Sequence, residues 1–492
     1  MIDAFDGLDL ISSSLVSYEG TTYALVKIAH ERYLAVLGGK PDDCWQGERL
    51  PRGKANLIIC PLNSFNAQLL RNKLPWLQPK LLGLQTSAGL GDRLGLATPG
   101  HVRAMRHFEG QIMPIFPQQS IREMARTVRT PQEVMDDAMW GIFQENWRGG
   151  FGADADHLKT EADIKSCFQA GYTFFTIDPG DYVDNRAETM DLSTLREMAG
   201  LLPKDMQVGA TGLLGQTLDI ETYHLHFTEE ILLRAMVKYG RAVAHVARLF
   251  FYLSKLAVGR PFELEVSVDE TDQPTSLQEH AYITNELKRL GVNWVSLAPR
   301  YVGRFEKGVD YIGSLAGFEK DVKGHAALAR YFGPYKLSLH SGSDKYSIYS
   351  LAMQATQGMV HLKTAGTSYL TALHTIAGID TDFLQNIFSF ACSHYNEDRL
   401  TYHVSADLAK VPQPERVTDW HALIDQFDAR QVFHVTFGSV MTARDADGEL
   451  IFRPHLMSLL QENLDCYARD LEAHFIRHLA PFSSIRSREH FD

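Results

Sequence analysis

Residues 335–369 read YKLSLHSGSDKYSIYSLAMQATQGMVHLKTAGTSY, and this stretch decides the fold class. Its two ends, residues 336–340 and 359–363, alternate apolar with polar side chains, which is typical of β-strands. The segment between them has helical spacing and stops at Gly358, a residue suited to the end of a helix. The stretch therefore predicts a strand–helix–strand unit.

The alternation also predicts which side chains face inward. In the first strand, His340 lies on the face opposite Leu337 and Leu339; in the second, His361 and Lys363 point inward. Both strands thus end with imidazole or ammonium groups, just before loops rich in Gly, Ser and Thr. Barrels of parallel strands build their active sites from such strand ends and the loops that follow them.

Eight runs of this kind follow one another, most of them separated by helical patterns. The candidate strands are residues 81–86, 111–117, 151–155, 173–177, 262–268, 294–297, 336–339 and 360–362. Eight such units predict an α/β fold with a (β/α)8 TIM-type barrel, and a doubly wound parallel sheet is the alternative. Two capping boxes, Thr160 with Asp163 and Ser276 with Glu279, begin helices where a barrel requires them.

The flanking segments predict additional layers around the barrel. Residues 1–80 are typical of an accessory α+β layer, and residues 81–370 hold the barrel, with a helical insertion at about 182–260. The candidate elements of the accessory layer are strands at 22–28, 33–37 and 57–60 and a helix at 63–74. Residues 371–492 form a mainly helical extension, for which the pattern predicts one further strand at 431–437.

The composition is that of an ordinary globular protein, with 45% hydrophobic and 22% charged residues among 492. A net charge of −12 argues against non-specific binding to nucleic acid or to an anionic membrane, because both would be repelled. We therefore expect a small-molecule partner, while homo-oligomer formation stays open. The five cysteines lack metal-binding spacing, and the N-terminus has no basic flank or long apolar run. These features predict a cytoplasmic protein with reduced thiols.

Four of the loops after the strands supply candidate substrate-binding residues. Glycines 89, 91 and 95 in the first loop form GxGxxxG, which differs from the dinucleotide fingerprint GxGxxG, so no nicotinamide cofactor is expected. Arginines and lysines in these loops suit an anionic ligand, and neutral polar groups suit a sugar. The candidates are Arg93, His101, Gln119, Ser120, Arg300, Tyr301 and Lys345. The alternative is that they are surface residues or helix-start residues.

Inward carboxylates and imidazoles on four strands predict a metal site. GADADHLKT (152–160) places Asp154 and Asp156 on one strand face, with His157 next, and FELEVSVDET (262–271) alternates acidic with apolar residues. Buried carboxylates need partners, and mixed His and carboxylate ligands suit Mn, Fe, Co, Ni or Zn. The candidate ligands, not all used at once, are His157, Glu265, His340 and His361. The alternatives are a solvated loop at 152–160 and an exposed edge strand at 262–271.

Seven motifs, in their order along the chain, resemble the tagaturonate epimerase family. They are TSAGLGDRLGLATPGH, GADADHLKT, FFTIDPGD, FELEVSVDET, LAPRYVGRFEKG, KLSLHSGSDK and HLKTAGTSY, which span about residues 81–370. The resemblance implies a metal-dependent epimerase of hexuronate catabolism that interconverts D-tagaturonate and D-fructuronate. Some members of the family act on the neutral ketohexoses tagatose and fructose.

The two ketohexuronates differ at a carbon two bonds from the ketone, so enolisation cannot invert that carbon. A retro-aldol cleavage followed by re-addition to the rotated aldehyde can do so, with a metal stabilising the oxyanion charge. We expect Asp178 and Glu270 to act as general base and acid, and Lys363 to hold the oxyanion or donate a proton. The alternative is that Asp178 has a structural role and caps the turn that follows its strand.

Three alternatives to this function stay open. One is oxidation and re-reduction through a nicotinamide, which the missing fingerprint weakens. Another is a metal-dependent aldolase or isomerase that acts on a different sugar acid. The third is a sugar-binding protein without catalysis, which would not need acidic side chains and histidines at the same strand ends.

Overall fold

Strands and helices alternate along most of the chain. The computed structural model describes residues 5, 7–29, 31–38, 44–52, 55–364 and 366–483. The strands are β1 (Asp9–Tyr18), β2 (Thr21–Ile28), β3 (Glu31–Gly38), β4 (Glu48–Arg52), β5 (Ala55–Pro61), β6 (Ser87–Gly89), β7 (Met113–Ser120), β8 (Gly152–Leu158), β9 (Phe174–Ile177), β10 (Thr217–Ile220), β11 (Tyr223–His226), β12 (Glu263–Val268), β13 (Ser296–Pro299), β14 (Lys336–Leu339) and β15 (Val360–Lys363).

The helices fill the intervals between these strands and make up most of the C-terminal part. They are α1 (Ser64–Lys73), α2 (Thr98–Arg106), α3 (Ile121–Thr127), α4 (Pro131–Gln144), α5 (Glu161–Ala170), α6 (Leu192–Gly200), α7 (Val208–Thr211), α8 (Glu229–Leu256), α9 (Leu277–Arg289), α10 (Leu315–Phe332), α11 (Tyr346–Thr356), α12 (Thr367–Ala377), α13 (Thr381–Asp398), α14 (Trp420–Asp425), α15 (Phe427–Val435), α16 (Phe437–Thr442), α17 (Arg453–Glu462) and α18 (Leu464–Leu479). No helix among the described residues combines the length and the apolar character that crossing a membrane requires.

Eight of the strands form a closed parallel barrel in the order β12-β13-β14-β15-β6-β7-β8-β9. This confirms the predicted (β/α)8 barrel. The register places Ser338 beside His361 and His361 beside Ser87, all on the inner face of the barrel. Because side chains alternate along a strand, His340 and Lys363 lie two residues further along, roughly 7 Å nearer the carboxyl ends of the strands.

Antiparallel strands form a separate layer at the N-terminal end. The sheet order is β1-β2-β3-β5-β4, and α1 follows the sheet. Apolar side chains are buried on both faces of this sheet, and one face joins the main core of the barrel. A buried ion pair of 2.7 Å between Arg71 Nη1 and Asp136 Oδ1 joins α1 to α4.

Two further additions surround the barrel. Between β9 and β12 the chain forms α6, α7, the β10–β11 hairpin and the long α8, which begins where the Thr228 side chain accepts the N–H of Ile231. After β15 the helices α12 to α18 continue, and α18 packs against α2. The fold class predicted from the sequence, with an insertion and a helical extension, is therefore confirmed.

Helix starts were well predicted because capping residues mark them. Thr160 and Asp163 form a capping box at the start of α5, which ends at Gly171 in a left-handed conformation with φ +103°. Ser276 and Glu279 form another at the start of α9. A side-chain oxygen satisfies a free backbone N–H in each case, so a local motif is enough to begin the helix.

Three strand predictions need correction. Residues 81–86 are not a strand; the first barrel strand is β6, and the N–H groups of Leu82 and Gly83 instead donate to the Glu263 carboxylate. Of the three leucines in this run only Leu82 is buried, while Leu81 and Leu84 are exposed. The sixth barrel strand, predicted at 294–297, is β13 at Ser296–Pro299. The strand predicted at 431–437 is helical, in α15 and α16, because a short apolar run does not distinguish a buried helix from a strand.

Candidate active site

A buried lysine at the end of β15 holds three carboxylates together inside the barrel. The Lys363 Nζ lies 2.9 Å from Asp154 Oδ2, 2.8 Å from Asp156 Oδ1 and 2.9 Å from Glu265 Oε1. It also donates to the hydroxyl of Thr176 at 2.7 Å. Burial disfavours the ammonium, but the three carboxylates outweigh burial and raise the pKa of Lys363 well above its ordinary value. Lys363 is therefore a fixed positive charge at neutral pH.

One cation cannot neutralise three buried carboxylates, and Asp154 is the one of the three whose charged form is disfavoured. Burial, reinforced by the neighbouring carboxylates, raises the pKa of Asp154 to about 6 despite the nearby Lys363. The pKa of Glu265 moves the other way, to about 2: burial would raise it, but Lys363 and two histidines favour its charged form. The Glu265 Oε2 also accepts a 2.5 Å hydrogen bond from the Ser296 hydroxyl.

Above this layer, two histidines and an aspartate converge at the carboxyl ends of β8 and β14. The His340 Nε2 lies 3.0 Å from Asp156 Oδ1, and the rings of His157 and His340 are 4.3 Å apart. One donor atom from each of these three residues lies within 4.8 Å of the others, so the group could hold a metal ion. Burial would raise the pKa of Asp156, but Lys363 and both histidines hold it well below its ordinary value.

Each of the two histidines has its Nδ1 atom occupied and its Nε2 atom directed into the site. The Asp178 Oδ2 lies 3.0 Å from His157 Nδ1, and its Oδ1 accepts the N–H of Gly180 at 2.8 Å. The Ser267 hydroxyl donates to Asp269 at 2.5 Å, so its oxygen accepts from His340 Nδ1 at 2.7 Å. When the rings are neutral and each Nδ1 carries the hydrogen, the Nε2 lone pairs face the site, as metal-binding histidines require.

His157 stands in an unusual backbone conformation. Its φ of +53° is in the left-handed region, which a residue other than glycine rarely adopts. Burial opposes its protonation, but Asp156 and the hydrogen bond to Asp178 raise the pKa of His157 to about 9. Strained conformations of this kind occur mostly at functional sites, where the surroundings fix them.

Glu270 lies at the outer edge of the same group. Its Oε1 accepts a hydrogen bond from Arg122 at 3.0 Å and lies 4.0 Å from His157 Nε2. Burial would raise the pKa of Glu270, but His157 and Arg122 lower it to about 2. Glu270 is thus an ionised carboxylate next to the two histidines.

Two adjoining cavities open from this cluster. A cavity of about 40 Å³ lies directly above Asp156, His157, His340 and Lys363. A larger cavity of about 290 Å³ adjoins it and is lined by Glu270, by the loop after β13 and by the segment at 401–405. Arg122, Lys307, His340, Ser341 and Tyr402 line both. The C-terminal extension therefore covers one side of the site.

The structure places several predicted substrate-binding residues at these cavities. Arg93 and Ser120 line the small cavity, and Ser120 also caps α3 by accepting the N–H of Glu123 at 3.1 Å. Arg300 and Tyr301 line the larger cavity. Lys345 reaches the small cavity, but its ammonium already donates to three backbone carbonyls, those of Glu306, Val309 and Ser343.

Other predicted residues are not brought together with the cluster. His361 lies one layer deeper, where its Nδ1 is 2.9 Å from the Ser87 hydroxyl and burial lowers its pKa to about 3. His101 is buried in α2 against Phe475, with 4.6 Å between ring centroids, and burial lowers its pKa to about 4. Gln119 is buried in β7 and lines neither cavity.

Comparisons with known proteins identify the family of this chain. The model of the family described as "UxaE: tagaturonate epimerase" matches residues 11–482. The chain belongs to the tagaturonate epimerase family. It is 39% identical over 476 residues to the tagaturonate/fructuronate epimerase of Thermotoga maritima, covering 96% of each chain. The resemblance seen in the sequence motifs is thereby confirmed, and the protein is an epimerase, an enzyme of the isomerase class.

Solved structures of this family share the fold along the whole chain. A glycerol-complexed crystal structure of the fructuronate-tagaturonate epimerase UxaE from Cohnella laeviribosi superposes with a TM-score of 0.92 at 34% identity, covering 98% of both chains. The native crystal structure of the same enzyme gives a TM-score of 0.90 at 34% identity, covering 97% of both.

Sequence reasoning missed several residues of the site. Asp156 is absent from the predicted ligand set, although its alternation with Asp154 places both side chains on the inward face of their strand. Thr176 gave no signal, because a threonine in a buried strand is common. Tyr402 and His434 come from the helical extension and line the small cavity. No local pattern relates that segment to the barrel.

Proposed function

We propose that this epimerase interconverts D-tagaturonate and D-fructuronate, with a divalent metal ion held by Asp156, His157 and His340. Membership of the family supports the substrates, since the Thermotoga maritima relative is a tagaturonate/fructuronate epimerase. The observation that carries the metal proposal is the convergence of one carboxylate and two imidazoles at the barrel mouth. Mixed nitrogen and oxygen donors suit Mn, Fe, Co, Ni or Zn.

The ligand atoms themselves support a metal ion. The His340 Nε2 is buried and has no hydrogen-bond partner among the described residues, although Asp156 Oδ1 lies 3.0 Å away. A buried nitrogen lone pair without a donor is costly unless an ion or a ligand occupies it. We place Asp156 in this set instead of Glu265 and His361, because Asp156 is grouped with both histidines within 4.8 Å. The Glu265 carboxylate approaches His340 only on its Nδ1 side, which Ser267 occupies, and His361 lies one layer deeper.

The surrounding residues would fix the geometry of the two imidazoles. Asp178 holds His157 through Nδ1, and Ser267 holds His340 in the same way. We therefore propose that Asp178 is a positioning residue and not the general base expected from its place at the end of β9. A bound divalent ion would act as a Lewis acid on the substrate oxygen where negative charge develops.

Glu270 is the best placed proton acceptor. It lines the larger cavity, lies 4.0 Å from His157 and is ionised at neutral pH. In the proposed retro-aldol step, Glu270 takes the proton of the hydroxyl on the inverting carbon. The bond from that carbon to its neighbour beside the ketone then breaks, and its electron pair passes into an enediolate.

The second half of the reaction reverses the first on the other face of the aldehyde. After the aldehyde rotates, the enediolate carbon attacks it and the same carbon–carbon bond forms again. Glu270 returns its proton to the new alkoxide, so a single carboxylate serves both directions. Lys363 offsets part of the negative charge of the three carboxylates below the site, which reduces the repulsion between that layer and the developing oxyanion.

A labelled substrate tests this route. D-Tagaturonate carrying deuterium on the inverting carbon should keep all of its label during epimerisation and react within about 20% of the unlabelled rate, since no bond to that hydrogen breaks. A rate reduction of severalfold would contradict the proposal and indicate hydride or proton transfer at that carbon. Accumulation of free three-carbon fragments without epimer would instead indicate an aldolase.

A further inference from the structure

Six cationic side chains line the small cavity, and most of them are already engaged. They are Arg93, Arg122, Arg126, Lys307, Lys345 and Lys363. Lys363 is neutralised by three carboxylates, and the three N–H groups of Lys345 are taken by backbone carbonyls. Neither can add a strong contact to an anionic ligand.

The outer cations are exposed or paired. Arg122 is bound to Glu270, and the Arg122 side chain is 41% exposed. Arg126 donates to the hydroxyls of Thr401 and Tyr402. Lys307 is half-buried and donates to the Ser341 hydroxyl at 3.2 Å. Water competes for charges in such positions, so they discriminate weakly between ligands.

Arg93 differs from all of these. Its side chain is 1% exposed, and Nη2 makes its hydrogen bond to Glu123. Nε and Nη1 are buried and have no hydrogen-bond partner among the described residues. A buried guanidinium with unused donors is costly unless a ligand completes it, and carboxylates match guanidinium donors well.

The C-terminal extension fixes this guanidinium in place. The Phe437 ring lies 3.6 Å from Arg93 Cζ, and His434 Nε2 lies 3.4 Å from Nη2. Burial and the adjacent Arg93 hold the pKa of His434 well below its ordinary value, so the imidazole is neutral and adds no repulsion. Arg93 is therefore held rigidly in the lining of the small cavity, which Asp156 and His340 also line.

We propose that Arg93 binds the carboxylate of the substrate and thereby gives this enzyme its preference for a ketohexuronate over a neutral ketohexose. The inference rests on the proposed function for the identity of the substrate. It goes further by assigning the acid end of the substrate to the small cavity, under α15 and α16, and not to the basic loop after β13.

Binding of two non-reacting probes tests the proposal without turnover. D-Gluconate is a six-carbon acid and D-glucitol is its neutral counterpart; neither has a ketone. On the protein as purified, Arg93→Gln should weaken D-gluconate binding by about 10- to 100-fold in calorimetry and change D-glucitol binding by less than about threefold. Arg93→Lys should weaken D-gluconate binding by a smaller factor, because lysine keeps the positive charge but lacks the paired N–H donors of a guanidinium.

A matched control removes another buried, ion-paired arginine. Arg71→Gln breaks the pair with Asp136, neither of which lines the two cavities, and should leave the gluconate-to-glucitol affinity ratio unchanged. A folded Arg93→Gln protein with an unchanged ratio would overturn the proposal. The proposal would also be overturned if Arg300→Gln, and not Arg93→Gln, removed the preference for D-gluconate over D-glucitol.

A second variant decides the matter if Arg93→Gln does not fold. Glu123→Gln keeps an acceptor for Arg93 Nη2 but removes the negative charge that competes with a ligand carboxylate. We expect D-gluconate to bind about 3- to 10-fold more tightly and D-glucitol to bind as before. Weaker D-gluconate binding would show that the Arg93–Glu123 pair is only structural. If Arg93 binds D-gluconate but the protein does not epimerise ketohexuronates, the proposed function is refuted. The role of Arg93 in binding a carboxylate is then unaffected.

Discussion

At the scale of single residues, Lys363 sets the charge balance of the site. Its ammonium lies within 2.9 Å of carboxylate oxygens on β8 and β12, so it ties three strands together inside the barrel. Each carboxylate would be costly to bury without it. The inward position of Lys363 was predicted from strand alternation, but its role as partner of three carboxylates depends on neighbours that the sequence does not place.

Replacing this lysine should be strongly destabilising. We expect Lys363→Met to lower the free energy of unfolding by about 3–5 kcal/mol in denaturant titrations, because the carboxylates lose their counter-ion. Lys336→Met is a matched control: Lys336 is also buried in the barrel, but it donates to the Ser87 hydroxyl, so its loss should cost less.

Adding Asp154→Asn to Lys363→Met should recover more than about 1 kcal/mol, since one excess anion is removed. Equal losses in the two lysine variants, with no recovery in the double variant, would contradict this account of the charge balance.

Asp321 should make stability depend on pH. It lies in α10, where its carboxylate accepts the N–H of Val302 at 2.9 Å, and burial raises the pKa of Asp321 from 3.8 to about 6. The folded state therefore binds the proton more tightly than the unfolded state. The stability that this group adds is present below about pH 4 and is lost as pH rises to about 6.

Asp321→Asn should consequently raise the free energy of unfolding by about 1–3 kcal/mol near pH 8 and leave it unchanged near pH 3.5, where the wild-type carboxyl is also neutral. Urea unfolding at the two pH values gives the comparison. A loss of stability near pH 8 would show that the charged carboxylate is favourable in the fold.

At the scale of elements, the loop after β15 and the C-terminal helices meet over the cavity. Gly366 lies between β15 and α12, close to His434 of α15 and to Arg93. The strand ends of the barrel were predictable because alternation and polar loop residues are local signals. The docking of α15 and α16 on the mouth was not, since a buried run such as 431–437 suits a helix or a strand equally.

The contact at Gly366 gives a test of this element packing. A Cβ added there would lie 2.4 Å from His434 Cε1 and 3.1 Å from Arg93 Nη2, so Gly366→Ala should displace α15 from the site. We expect kcat/KM to fall by about 10- to 100-fold while the protein stays folded by circular dichroism.

Gly200→Ala provides the control for that substitution. Gly200 is in α6, and an added Cβ would meet nothing within 4 Å, so activity should not change and stability should rise slightly. Unchanged activity in Gly366→Ala would mean that α15 does not contribute to the site.

At the scale of the whole molecule, the closed barrel brings distant parts of the chain to one point. Asp156, His157 and His340 stand at the ends of β8 and β14, which are not neighbours in the barrel. The sequence predicted the fold and two of these three residues, because each strand reveals which of its side chains face inward. It did not predict the depth of each residue, since strand alternation does not fix the stagger between strands. For that reason His361 was grouped with His340 although it lies a layer deeper.

The most direct test of the central claim is the rate at which the chelator-treated protein converts D-tagaturonate into D-fructuronate, before and after one equivalent of divalent metal is returned. We predict a loss of at least about a hundredfold on chelation and recovery on addition of the metal, because the developing oxyanion needs a Lewis acid. Full activity in protein from which all divalent metal has been removed would contradict the claim that Asp156, His157 and His340 form a catalytic metal site.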